Sequence, residues 1–181
     1  SANRKNWNWK KILFEFFYSK DQAGYPHSKA TSSGDEDYYN NSEYIEGWSY
    51  KDDAMGSPLI ATAASVRPGH AHFPKDFFIS NRVVAAHIGA SAKVYQWDIM
   101  SKMTLARHYG TFATSEYGKS TGKQFHTPYK ESFVPVNQFS FFLQAERAFF
   151  ANTFIGATFA SDQGKLLYSG SGLLLHARRS F

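Results

Sequence analysis

The chain contains no cysteine, so neither disulfides nor thiolate-bound metal can staple it. That absence says nothing of compartment. It has no run of about 18 apolar residues, which excludes a membrane-crossing helix but not membrane-crossing strands, whose signal is far weaker. No segment carries a convincing 3.6-residue period, and there is no internal repeat or low-complexity tract. The P-loop, the dinucleotide fingerprint and the nucleophile elbow are all missing. Charged residues are only 19% of the 181 residues while aromatics reach 18%, which excludes a disordered polyelectrolyte. The net charge of +5 is spread over strands and loops rather than clustered, which argues against a nucleic-acid partner. The length suits one domain.

Period-two alternation is present in strength. Phe139, Phe141, Leu143, Ala145, Arg147 and Phe149 share one face, against Gln138, Ser140, Phe142, Gln144, Glu146 and Ala148. Trp97, Ile99, Met103, Leu105 and Tyr109, with Ser101 and Arg107 among them, oppose Asp98, Lys102, Thr104 and His108. The pattern predicts six long strands, over about 7–20, 82–94, 97–109, 138–149, 152–161 and 166–181. Short turns fall at 95–96, 150–151 and 162–165. Residues 21–81 and 110–137 are long, polar surface loops within a single unit spanning 1–181.

Strands of a soluble β-sandwich average about 5–6 residues. These run to roughly 10–15, the length of a tilted membrane-spanning strand. Aromatics at the strand ends suit interfacial girdles, and alternating short and long connections suit an up-and-down barrel. The expected fold is therefore all-β, an antiparallel transmembrane β-barrel. Six strands are too few, because single-chain barrels start at about eight and an open edge cannot face lipid. Two solutions follow. Either these are the C-terminal strands of a larger barrel, or the sheet closes against another chain. A further strand or two within 21–81, for instance over 57–65, would instead close a small barrel. The start at Ser1-Ala2-Asn3-Arg4, without Met or an apolar leader, leads to the expectation of a removed targeting segment or a longer precursor. The terminal Phe181 resembles the C-terminal strand signal of outer-membrane barrels.

Four segments carry a family resemblance. They are Phe14-Glu15-Phe16-Phe17-Tyr18-Ser19-Lys20-Asp21-Gln22-Ala23-Gly24; Asp37-Tyr38-Tyr39-Asn40-Asn41 with Glu46-Gly47-Trp48-Ser49-Tyr50 and Gly56-Ser57-Pro58-Leu59; Asn81-Arg82-Val83-Val84-Ala85-Ala86-His87-Ile88-Gly89; and Arg107-His108-Tyr109-Gly110-Thr111-Phe112. In order and spacing they resemble the C-terminal half of Wzi-like capsule-assembly outer-membrane proteins of the Bacteroidetes type. The resemblance implies a large barrel in the bacterial outer membrane. It also implies non-enzymatic, lectin-like work in attaching or organising surface polysaccharide.

Recognition is expected in the loop around 35–75, since loops on a rigid scaffold carry it. Tyr38, Tyr39, Trp48 and Tyr50 offer ring faces to sugar C–H groups, and Arg67 suits acidic polysaccharide. His70 and His72 complete the expected ligand-binding set. The alternative for these side chains is that they pack the loop on itself or plug the lumen. His70-x-His72 has no third ligand fixed by spacing, and Asp35-Glu36-Asp37 lacks the calcium-loop pattern, so no metal and no cofactor are expected. Ser115, His108 and Asp98 have no spacing that supports a triad, and no catalytic residue is assigned. Lumen-facing Glu15, Lys93, Lys102, Glu146, His176 and Arg178 would set selectivity in an open barrel and pair in a plugged one. The expected partners are surface polysaccharide, outer-membrane lipid and a further barrel chain or the remainder of a precursor. Two other readings stay open: an outer-membrane channel or transporter, and a soluble all-β carbohydrate-binding module.

Overall fold

The computed structural model describes residues 7–20, 39–40, 46–72, 76–115, 132–150 and 152–179. Its elements are β1 (Trp7–Tyr18), β2 (Ser49–Tyr50), β3 (Asp53–Ala54), β4 (Ala61–Thr62), β5 (Phe78–Ser80), β6 (Val83–Val94), β7 (Trp97–His108), β8 (Val136–Phe150), β9 (Thr153–Gly164) and β10 (Gly170–Arg179). The architecture is all-β. Six long antiparallel strands form one sheet in the order β1-β6-β7-β8-β9-β10. The remaining strands make two small pairs, β2 with β3 and β4 with β5.

Alternation decides which side each residue takes. The register lines up Phe14, Ile88, Met103, Phe141 and Ser161 across five strands. Two residues along, it lines up Ile12, Ala90, Ser101, Leu143, Phe159 and Leu173. These rows form a continuous apolar face. The opposite face carries Glu15, His87, Thr104, Ser140 and Asp162 in one row. A second polar row holds Lys93, Asp98, Glu146, Gly156 and His176. Bulges at Trp9/Lys11 and Ala148/Phe150 sit near one end of the sheet, where each adds local twist.

That end holds the short connections. Tyr95 takes a φ of 54° in the turn between β6 and β7, and Asn152 takes 58° between β8 and β9. Asparagine tolerates this region better than most residues. The opposite end holds the long connections and the turn at 165–169. We call the two the turn end and the loop end.

The sequence expectation of six strands holds, with shifted limits. β9 runs on to Gly164, and β10 begins at Gly170 rather than 166. Leu166 and Leu167 fall outside β10: the first is fully buried and the second bridges to Val66. The strand proposed over 57–65 is corrected. Only Ala61 and Thr62 are extended, and they pair with β5 outside the large sheet. The Thr62 hydroxyl donates to the Asp52 carbonyl at 2.6 Å, and the Asn40 side chain brackets Phe78 with two 2.9 Å bonds. Among the described residues β1 and β10 are the two edges, and the sheet does not close on itself.

The packed core lies at the loop end, not along the sheet. One cluster joins Ala61, Val66, Ile79, Phe133, Val136 and Leu166; another joins Val83, Ala85 and Ala106, with Phe17 and Leu59 against it.

Candidate functional site

The segment between β1 and β6 does not stay at its own edge. The Arg67 amide donates to the Leu166 carbonyl at 2.9 Å, beside the Val66–Leu167 bridge. It therefore reaches from β1 and β6 to the β9–β10 turn. The second long connection joins it: the Phe133 amide donates to Thr114, and those of Asn81 and Arg82 to Gly110. Together these segments form a cap over the loop end.

The cap sits on one face only. It buries the polar-face rows Val83, His108, Val136 and Ala85, Ala106, Gln138. On the other face at the same height, Phe16, Leu105 and Arg107 stay exposed. Several polar groups enclosed by the cap are partnered locally, whereas Gln138 Nε2 is buried without a hydrogen-bond partner. His108 Nδ1 lies 3.1 Å from the Ser80 hydroxyl. Thr114 Oγ1 accepts from the Thr111 amide at 3.1 Å, and the Ser115 hydroxyl donates to the Phe112 carbonyl at 2.7 Å. Ser115, His108 and Asp98 are not assembled as a triad, because Asp98 pairs with Lys10 near the turn end.

The residues expected to bind ligand fall in separate places. Trp48 and Tyr50 project from the β2–β3 hairpin, 56% and 65% exposed. Both hairpin turn residues, Lys51 and Asp52, have positive φ, as a two-residue turn matched to strand twist requires. Lys51 Nζ lies 5.3 Å from the Tyr50 ring. Tyr39 packs edge-on against Phe78 at 5.5 Å. Arg67 donates to the Ser169 hydroxyl at 2.8 Å and lies 5.9 Å from the Tyr168 ring. His70 stacks on Phe133 and its Nε2 lies 2.9 Å from the Lys165 carbonyl. His72 Nδ1 lies 3.0 Å from the His70 carbonyl. Both imidazoles are thus engaged by backbone. No group of three His, Asp or Glu at metal-holding distance exists among the described residues. Tyr38 and Asp35-Glu36-Asp37 lie outside the described residues.

Below the cap the polar face carries paired charges. Glu146 accepts a bidentate grip from Arg178, Nε at 2.9 Å and Nη2 at 2.7 Å, with His176 Nε2 at 3.4 Å. Gly156 makes room for this. A β-carbon there would lie 2.7 Å from both the His176 ring and the Ala145 carbonyl. The Arg178 guanidinium also lies 4.1 Å from the Phe154 ring. His87 Nδ1 meets the Thr104 hydroxyl at 2.7 Å, and Ser140 donates to Asp162.

The apolar face is the mirror of this. Its charged residues in the sheet are Arg107, Arg147 and Arg179, all near strand ends. Arg147 lies 5.3 Å from the Trp97 ring and Arg107 5.7 Å from Tyr109. Periodicity already placed Arg107 and Arg147 on this face. Alternation had put Lys20, Tyr168 and Ser169 inside the strands 7–20 and 166–181 without marking them; Lys20 lies against Tyr109, and Tyr168 and Ser169 against Arg67. Three comparisons, with protein-family models, curated proteins and solved structures, return no match for the chain.

Proposed function

We propose that this chain contributes strands to a β-barrel of the bacterial outer membrane. In this reading its capped loop end handles surface polysaccharide without catalysis. One observation carries the placement: a continuous apolar face left uncovered, with charge confined to its ends. Ile12 and Phe14 on β1 and Leu173 and Leu175 on β10 are 65–74% exposed. In water a contiguous patch beyond a few hundred Å² marks an interface, which disfavours the soluble module. Arg107 and Trp97 are ten residues apart on β7, about 33 Å at roughly 3.3 Å per residue. At a tilt of about 40° the span is near 25 Å, the height of a barrel's apolar band.

On this reading the polar face lines the lumen, and the cap lies over its outer mouth. That favours the plugged barrel over an open channel. The two sheet edges then need further strands, from the rest of a longer chain or from another chain, as lipid tolerates no open edge. Trp48 and Tyr50, held outward on a tight hairpin, are the sugar-stacking surface.

The test is twofold. Membrane-extracted protein should resist alkaline wash and need detergent. In detergent it should retain acidic polysaccharide in a pull-down, and Trp48→Ala with Tyr50→Ala should lower retention at least tenfold. Full retention by the double variant removes the sugar assignment, and solubility without detergent removes the membrane placement.

A further inference from the structure

We infer that the outer-facing loop end of the sheet holds a phosphorylated lipid, its phosphate at Arg107 and Lys20 and its acyl chains in two adjoining grooves. The inference rests on the membrane placement proposed above and adds a ligand to it.

The first groove, of about 350 Å³, is lined by Phe16, Val84, Ala86, Leu105, Arg107 and Asn137. Small residues on β6 leave it open between the taller side chains of β1 and β7. The second, of about 430 Å³, shares Leu105 and Asn137 and reaches Phe139 and Lys165. Both linings are mostly apolar carbon, so water gains little there and a hydrocarbon chain gains contact.

Cations stand at the loop-end rim. Lys20 Nζ lies 5.0 Å from the Tyr109 ring and the Arg107 guanidinium 5.7 Å from the same ring. One tyrosine is thus flanked by two positive groups. Neither has a carboxylate partner among the described residues. Arg178 grips Glu146 and Lys10 pairs with Asp98, while Lys93, Lys102 and Arg147 also lack a carboxylate partner among the described residues; what sets Arg107 and Lys20 apart is that they share one tyrosine at the rim of an apolar groove. Two cations without an acid among the described residues, one lining the first groove and the other against the same tyrosine, fit a ligand with an anionic head and hydrocarbon tails. Arginine supplies a fork for two phosphate oxygens and lysine a point charge. A neutral lipid would fill the grooves but leave the charges unmet.

The experiment uses the full chain reconstituted into phosphatidylcholine vesicles with and without phosphatidic acid. The protein is then exchanged into neutral detergent, and retained lipid is counted by native mass spectrometry. Wild-type protein should keep phosphatidic acid in preference to phosphatidylcholine. A basic residue at an anionic surface contributes about a fivefold preference, so Arg107→Gln with Lys20→Gln should lower retention roughly 25-fold. Lys93→Gln, on the polar face, removes one positive charge elsewhere and should leave retention unchanged. The inference is overturned if an inserted wild-type chain shows no preference, or if Lys93→Gln lowers retention as much. It is also overturned if inorganic phosphate alone binds as tightly, since the tails would then contribute nothing. The membrane placement itself is overturned separately, if the membrane-extracted protein is released by the alkaline wash.

Discussion

Gly110 has a φ of 73°, where a side chain is strained. A β-carbon there would also lie 2.6 Å from both Phe133 Cβ and Thr114 Oγ1. The residue thus lets the β7 exit turn back under the second long connection, and its carbonyl receives the Asn81 and Arg82 amides. Gly110→Ala should destabilise the cap by about 1–3 kcal/mol. The expected readout is faster amide exchange at Phe133 and Arg82, with the amides at the turn end unchanged. Gly156 is constrained differently. Gly156→Ala should push His176 off Glu146, moving the His176 ring resonances while leaving the strand register intact. An unmoved imidazole would show that the row has slack which the 2.7 Å approach to the Ala145 carbonyl does not suggest.

At the scale of elements, β7 offers a controlled comparison. Met100 and Met103 are the same residue type on opposite faces of one strand. On the proposed membrane placement Met103 faces lipid near mid-span. Met103→Lys should then cost about 2–4 kcal/mol in a bilayer, while Met100→Lys on the polar face costs little. Denaturant refolding into vesicles measures both. Equal costs would sink the assignment of faces to lipid and lumen. The cap has its own test. Leu166 is fully buried among Ala61, Val66, Ile79, Phe133 and Val136. Leu166→Ala should cost about 2–5 kcal/mol and free the Arg67 amide, which bonds to the same residue's carbonyl. Loss of cap protection with the long strands still protected is the expected exchange pattern, because the strands keep their own ladder.

For the whole molecule, the open sheet sets the main expectation. An even number of up-and-down strands leaves β1 and β10 running in opposite directions. A strand added to either edge therefore continues the antiparallel alternation. In membrane-extracted protein the outward amides of β1 and β10 should be as slow to exchange as those of β7. Rapid exchange along both edges would mean that nothing closes the sheet. Much of this arrangement was legible beforehand. Alternation placed Phe139, Phe141 and Leu143 on one face and Gln138, Ser140 and Gln144 on the other, and the register agrees. Less legible were the strand limits near 166 and the fate of 57–65. Short apolar pairs such as Leu166-Leu167 and Ile60-Ala61 read the same whether they feed a sheet or a cap.

Local residue order alone determined the six strands, their two faces and the tight turns between them, because a side-chain period of two is written along the backbone. Only the tertiary structure decided which face the loops cover. Those contacts join residues as distant as Val66 and Leu167, and no local period encodes them. It also decided that Trp48 and Tyr50 stand outward while His70 packs on Phe133, and that Arg107 and Lys20 meet at Tyr109. Each of these outcomes depends on which strands lie side by side, and that is settled by ladder pairing and burial rather than by the order of residues within any one segment.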